Sequence, residues 1–98
     1  EIVSLFEDYT GHGTAIASIL AASYDNVYSS VKGINPNIEL YSARVLDENN
    51  QAPLSRVLDG IYWAIEKGVD IISISFGSVE YSEALKTAID AAVERDIL

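Results

Sequence analysis

The apolar positions of this chain fall into runs whose periods differ, and each period predicts a different element. Residues 15–22 are apolar almost all round a helical projection, with Ser18 the one polar interruption. That is the pattern of a helix enclosed by protein. Thr10 is a candidate N-cap, so this first helix should run from about Gly11 to Ser23. Residues 38–46 are rich in strand formers and end at a polar loop over 47–53. Leu54, Val57, Leu58, Ile61 and Ile65 then recur at offsets of three and four, an amphipathic helix that Gly68 can terminate. Residues 69–76 form a nearly continuous apolar stretch, as in a strand buried on both faces of a parallel sheet. Leu85, Ala88, Ile89, Ala92 and Val93 repeat the helical spacing, with Ser82 as cap and Glu83 placed against the helix dipole. Ile97 and Leu98 read as the start of a further strand.

The predicted order is therefore helix, strand, helix, strand, helix. This is an α/β pattern: a three-layer arrangement with a mostly parallel sheet flanked by helices, built on a right-handed βαβ unit. No internal repeat or domain boundary interrupts it. Two strands cannot cover three apolar helices, so residues 1–98 are expected to form part of a larger α/β domain.

Composition narrows the function classes. The 98 residues are 49% apolar, enough for a modest core. The chain has no cysteine, which excludes a disulfide scaffold, a thiolate metal site and a cysteine nucleophile. Fifteen acidic residues against six basic ones give a net charge of -9, which argues against nucleic acid as a partner. Every apolar run falls well short of the roughly 20 residues that span a bilayer. The first residue is Glu rather than Met and no signal-peptide pattern precedes the first helix, so we expect a processed or excised segment. Its compartment, secreted or cytoplasmic, stays open. There is no Gly-rich phosphate loop between a strand and a helix, so a nucleotide-binding unit is disfavoured.

Candidate chemistry centres on His12, the single histidine, between Gly11 and Gly13. The glycines keep bulk away from the imidazole, and a helix N-terminus disfavours an added positive charge, which suits a neutral base. A purely structural histidine remains the alternative reading. A transition-metal site would need further ligands, and with no second His and no Cys only carboxylates are available.

At this point the residues resemble a family. Thr10-Gly11-His12-Gly13-Thr14, with Asp8 just ahead, is similar to the active-site histidine motif D-x-x-G-H-G-T of the subtilisin-like serine peptidases. Gly33-Ile34-Asn35-Pro36 resembles the family's G-V-A-P turn, and residues 40–46 the strand that follows it. Ile61-Tyr62-Trp63-Ala64 is similar to its I-x-W-A helix, and residues 70–77 to its D-V-I-N-M-S-L-G strand. The likeness runs in register from Asp8 to the C-terminus.

The resemblance implies a serine endopeptidase working by an Asp-His-Ser triad, with His12 as general base. It implies that Ser75, Phe76 and Gly77 line the primary specificity pocket and pair with an extended substrate. It places Asn50, Gln51 and Ala52 on the opposite wall, where the family often has glycines. Ser75 and Gly77 also fit a plain strand end, and Asn50-Gln51 an ordinary solvated turn. Asp8 reads as a loop residue, because the family's triad aspartate lies well upstream. Nothing matches the family's G-T-S-x-A nucleophile motif, so the chain by itself should be inactive. No cofactor is expected. Residues 24–32 take the place of a loop that binds calcium in many relatives, and although the sequence does not match, Asp25 and Asn26 could supply oxygens. The partners implied are a peptide or protein substrate and the rest of the peptidase domain. The competing view is a non-catalytic, truncated or degenerate module that associates through uncovered sheet edges and apolar helix faces.

Overall fold

The computed structural model describes residues 7–23, 31–78 and 80–98. Among them the chain forms three helices, α1 (His12–Ala21), α2 (Leu54–Lys67) and α3 (Glu83–Val93), and no strand. They belong to two compact units that divide after Asn50, with α1 in the first and α2 and α3 in the second.

In the first unit α1 is preceded by its N-cap Gly11, whose φ of 78° lies in the left-handed region that favours glycine. The helix ends against residues 33–35. The backbone N–H groups of Gly33, Ile34 and Asn35 donate to the carbonyls of Ala22, Ile19 and Leu20 at 3.0, 2.9 and 2.9 Å. These bonds satisfy acceptors that a helix C-terminus leaves without intrahelical partners. The approach is so close that only a glycine fits: a Cβ at residue 33 would lie 2.3 Å from the Ala22 nitrogen and 2.6 Å from the Ala21 carbonyl carbon.

The second unit is a helix pair. Ile61 and Ile65 of α2 pack with Ala88 and Ala92 of α3, and Ile97 closes the cluster. Ala88 is completely buried, and its small side chain suits close approach of the two helices. The Ser82 hydroxyl caps α3 by accepting from the Leu85 N–H at 3.2 Å. Both helices then turn back in the same way. At Gly68, φ 70°, the Gly68 and Val69 N–H groups donate to Ile65 and Ala64. At Asp96, φ 58°, the Asp96 and Ile97 N–H groups donate to Val93 and Ala92. This paired bonding is the Schellman motif, and each time the apolar residue after the left-handed position packs on the core.

The expected α/β sheet is therefore corrected to an all-helical arrangement among the described residues. Strands are defined by their partners, and neither 38–46 nor 69–76 meets one along its length. One step of parallel pairing does occur: the Leu98 N–H donates to the Asp70 carbonyl at 3.1 Å, and the Ile72 N–H to the Leu98 carbonyl at 2.7 Å. The ladder goes no further, and Ile71, Ile74 and Phe76 stay exposed. With no sheet among these residues, there is no sheet edge for association either. The expectation of an enclosed first helix fails for the same reason, since α1 has no buried residue. Its span, too, is shorter than the 11–23 expected.

Gly33→Ala should cost about 1–3 kcal/mol, because the added Cβ meets backbone rather than a side chain that can yield. Amide exchange should accelerate at Ile34 and Asn35 while the α2 amides stay unchanged. Undisturbed exchange at those two amides would contradict the close approach.

Candidate active site

His12 is the first residue of α1 and is half-buried. Gly11 carries no side chain to cap the helix, so the open N–H groups are met from elsewhere. The Asp8 carboxylate supplies that function. One of its oxygens, Oδ1, accepts from the Gly11 N–H at 2.9 Å and the Thr10 N–H at 3.3 Å. The other, Oδ2, accepts from the Thr14 N–H at 2.9 Å and from the Thr14 hydroxyl. A carboxylate that accepts several bonds resists protonation. Asp8 is accordingly held down from the ordinary 3.8 to about 2, with the Thr14 hydroxyl the largest cause and the backbone N–H groups adding to it. Asp8 also carries negative charge to the positive end of α1.

Two contacts from later in the chain hold the same loop. The Arg44 guanidinium donates to the Glu7 carbonyl at 2.7 Å and lies 5.1 Å from the centre of the Tyr9 ring. The Tyr9 hydroxyl donates to Glu7 Oε2 at 2.7 Å, and that bond with its negative charge pushes the phenol pKa up. Thr10 Oγ1 donates to Asn50 Oδ1 at 2.7 Å. The same Oγ1 accepts from the His12 N–H at 3.4 Å, a weaker contact. Asn50 lies at the end of a turn, its N–H donating to the Asp47 carbonyl at 3.1 Å, with the Asn49 N–H bonded to Asp47 Oδ1.

Of the site residues expected from sequence, the structure brings Asn50 to the histidine loop through Thr10. Gln51, Ala52, Ser75, Phe76 and Gly77 belong to the second unit. Gln51 is exposed and Ala52 half-buried, while Ser75, Phe76 and Gly77 lie on an exposed stretch outside any helix. A shallow concavity of about 250 Å³ in that unit is lined by Glu80, Tyr81, Ser82, Leu85, Lys86 and Ile89, and takes in none of the expected site residues. Among the described residues no group of three His, Cys, Asp or Glu is placed to hold a metal ion. Asp25 and Asn26, the candidate calcium oxygens, lie outside the described residues. No helix among the described residues is long and apolar enough to cross a membrane.

Asp8 was legible only as a loop residue; the signal for more was an Asp three positions ahead of a Gly at a helix start, the spacing at which a short carboxylate reaches back to the helix N–H groups. Thr10, expected as the N-cap, gives that position to Gly11; its bond to Asn50 and the Arg44 contact carry no local signal, since the partners are 40 and 37 residues away.

The profile of the subtilase family matches residues 4–98. The chain belongs to the subtilase family. This subtilase chain is 40% identical over 91 residues to subtilisin DY of Bacillus licheniformis, covering 93% of the chain and 32% of that protein. It is 37% identical over 93 residues to subtilisin E of Bacillus subtilis, covering 95% of the chain and 24% of the relative. It is also 34% identical over 95 residues to the minor extracellular protease Epr of Bacillus subtilis, covering 97% of the chain and 14% of that protein. The chain thus spans about a quarter of the length of the subtilisin from Bacillus subtilis subsp. amylosacchariticus that it also matches.

Because the folded-state pKa of Asp8 is depressed, the carboxylate's contribution to the loop is present in full above pH 3.8 and is lost as pH falls through about 2. In an NMR titration the Gly11 and Thr14 amide shifts should move together with a midpoint near pH 2. Asp8→Asn should abolish that transition. A midpoint at an ordinary carboxylate value would contradict the bonding.

Proposed function

We propose that this chain is the histidine-bearing segment of a subtilisin-like serine endopeptidase and that His12 is its general base. The observation that carries the reading is the lone imidazole at the first position of α1, on a loop held by Asp8, within a chain that matches the subtilase family from residue 4 to residue 98. In such a reaction a neutral imidazole takes the proton from a serine hydroxyl as it attacks the peptide carbonyl. It then delivers that proton to the leaving amine, whose departure breaks the C–N bond of the tetrahedral adduct and leaves the acyl-enzyme. Ser75, Phe76 and Gly77, on an exposed stretch outside any helix, are assigned to backbone contact with an extended peptide. Gln51 and Ala52 contact the substrate further from the scissile bond in this reading. No G-T-S-x-A motif occurs in the 98 residues, so the chain alone is expected not to turn over peptides.

A second reading, a non-catalytic module that associates through apolar surface, draws on the exposure of Ile71 at 66% and Leu98 at 86%. A monodisperse monomer by light scattering would count against it.

In the full-length protein, His12→Ala should lower kcat/KM on a fluorogenic peptide by about a hundredfold or more. An unchanged kcat/KM would sink the general-base assignment. The 98-residue chain, freed of longer forms, should give no hydrolysis above buffer; turnover that disappears in its His12→Ala variant would overturn the expected inactivity.

A further inference from the structure

The side chain of Asn50 is committed to the histidine loop, and this changes what the residue does. Its Oδ1 receives the Thr10 hydroxyl proton at 2.7 Å across 40 residues of sequence. A hydroxyl has one proton to give and rotates to suit its partners. Once that proton is spent on Asn50, the remaining lone pairs of Oγ1 are fixed in direction, and one of them receives the His12 N–H. The Thr10 backbone N–H is held in turn by Asp8 Oδ1. Thr10 is thus gripped on one side by Asp8 and on the other by Asn50.

Asn50 is itself rigidly placed. Its φ of 57° lies in the left-handed region, which Asn enters more readily than most residues. Its N–H closes the turn on the Asp47 carbonyl, and the Asn49 N–H bonds to Asp47 Oδ1. The acceptor offered to Thr10 therefore comes from a preformed turn.

We propose that Asn50 is a positioning residue that acts through Thr10 on the backbone of His12. The inference rests on the reading of His12 as general base, and it deepens that reading by giving Asn50 a role other than contact with substrate. The chain of bonds fixes the point from which the imidazole projects, and small displacements of a catalytic base are costly to rate. Glycine at residue 50 would keep the left-handed turn and delete the acceptor, while aspartate would keep an oxygen at the same position. These two variants separate the side-chain bond from the shape of the turn.

Amide exchange in the full-length protein tests the bond without reference to peptidase activity. Asn50→Gly and Thr10→Val should each speed exchange at His12 by about two- to tenfold, with the α2 amides of Ala64 and Ile65 unmoved. Asn50→Asp should restore the original rate, and the Thr10→Val, Asn50→Gly double variant should be no faster than either single one. Unchanged His12 exchange in both single variants, an unprotected His12 amide in the parent chain, or failure of Asn50→Asp to rescue would each overturn the proposal. In the full-length protein, Asn50→Gly should lower kcat by a similar factor with KM unchanged. A raised KM at constant kcat would identify Asn50 as a substrate contact and also overturn it. A full-length protein without peptidase activity would refute the general-base reading alone and leave the exchange experiment to decide on the bond.

Discussion

One carboxylate fixes the start of the helix on which His12 stands. Asp8 gathers three backbone N–H groups and a hydroxyl at a terminus whose cap residue is a glycine with no side chain to offer. The dependence is unusually direct because α1 buries none of its residues, so it draws little from the packing that ordinarily sustains a helix in a protein. The helix is held by its two ends: acceptors from Asp8 before it, and donors from Gly33, Ile34 and Asn35 after it. The position of the imidazole is therefore a property of loop bonding more than of core packing.

The second unit depends on the opposite arrangement. There the helices are joined by burial, with alanines on α3 allowing α2 to come close and the two Schellman turns returning Val69 and Ile97 to the same cluster. Polar contacts on α3 are local to it: the Ser82 cap, the Tyr81 and Thr87 hydroxyls on Glu83, and a Lys86–Asp90 pair along its exposed side. A surface pair of that kind adds little, so the apolar cluster carries the unit.

What could be read from the sequence follows this division. The helices α2 and α3 were legible because their period, their stop at Gly68 and their cap at Ser82 are written within a few residues of each other. His12 was legible from its flanking glycines and from the motif around it. The strands were misread because apolar alternation and β-branched content state only that a segment could pair, and pairing is decided by what lies beside it; residues 70–72 achieve a single step with Leu98 and no more. The same limit hid Arg44 and the Thr10–Asn50 bond, whose partners are brought together only by the fold. Asp8 lay between these cases, its identity visible and its four bonds not.

The glycine at residue 33 has a consequence for the segment that precedes it. Its N–H meets the Ala22 carbonyl, so the chain leaves the end of α1 and returns to it at almost the same point. The segment between is closed at its neck by backbone bonds that do not depend on what the segment contains. Closing a longer excursion adds only slowly to the entropic cost, roughly 0.6 kcal/mol for each doubling of length. A change in the length of that segment would leave the bonds at the end of the helix that carries the histidine in place.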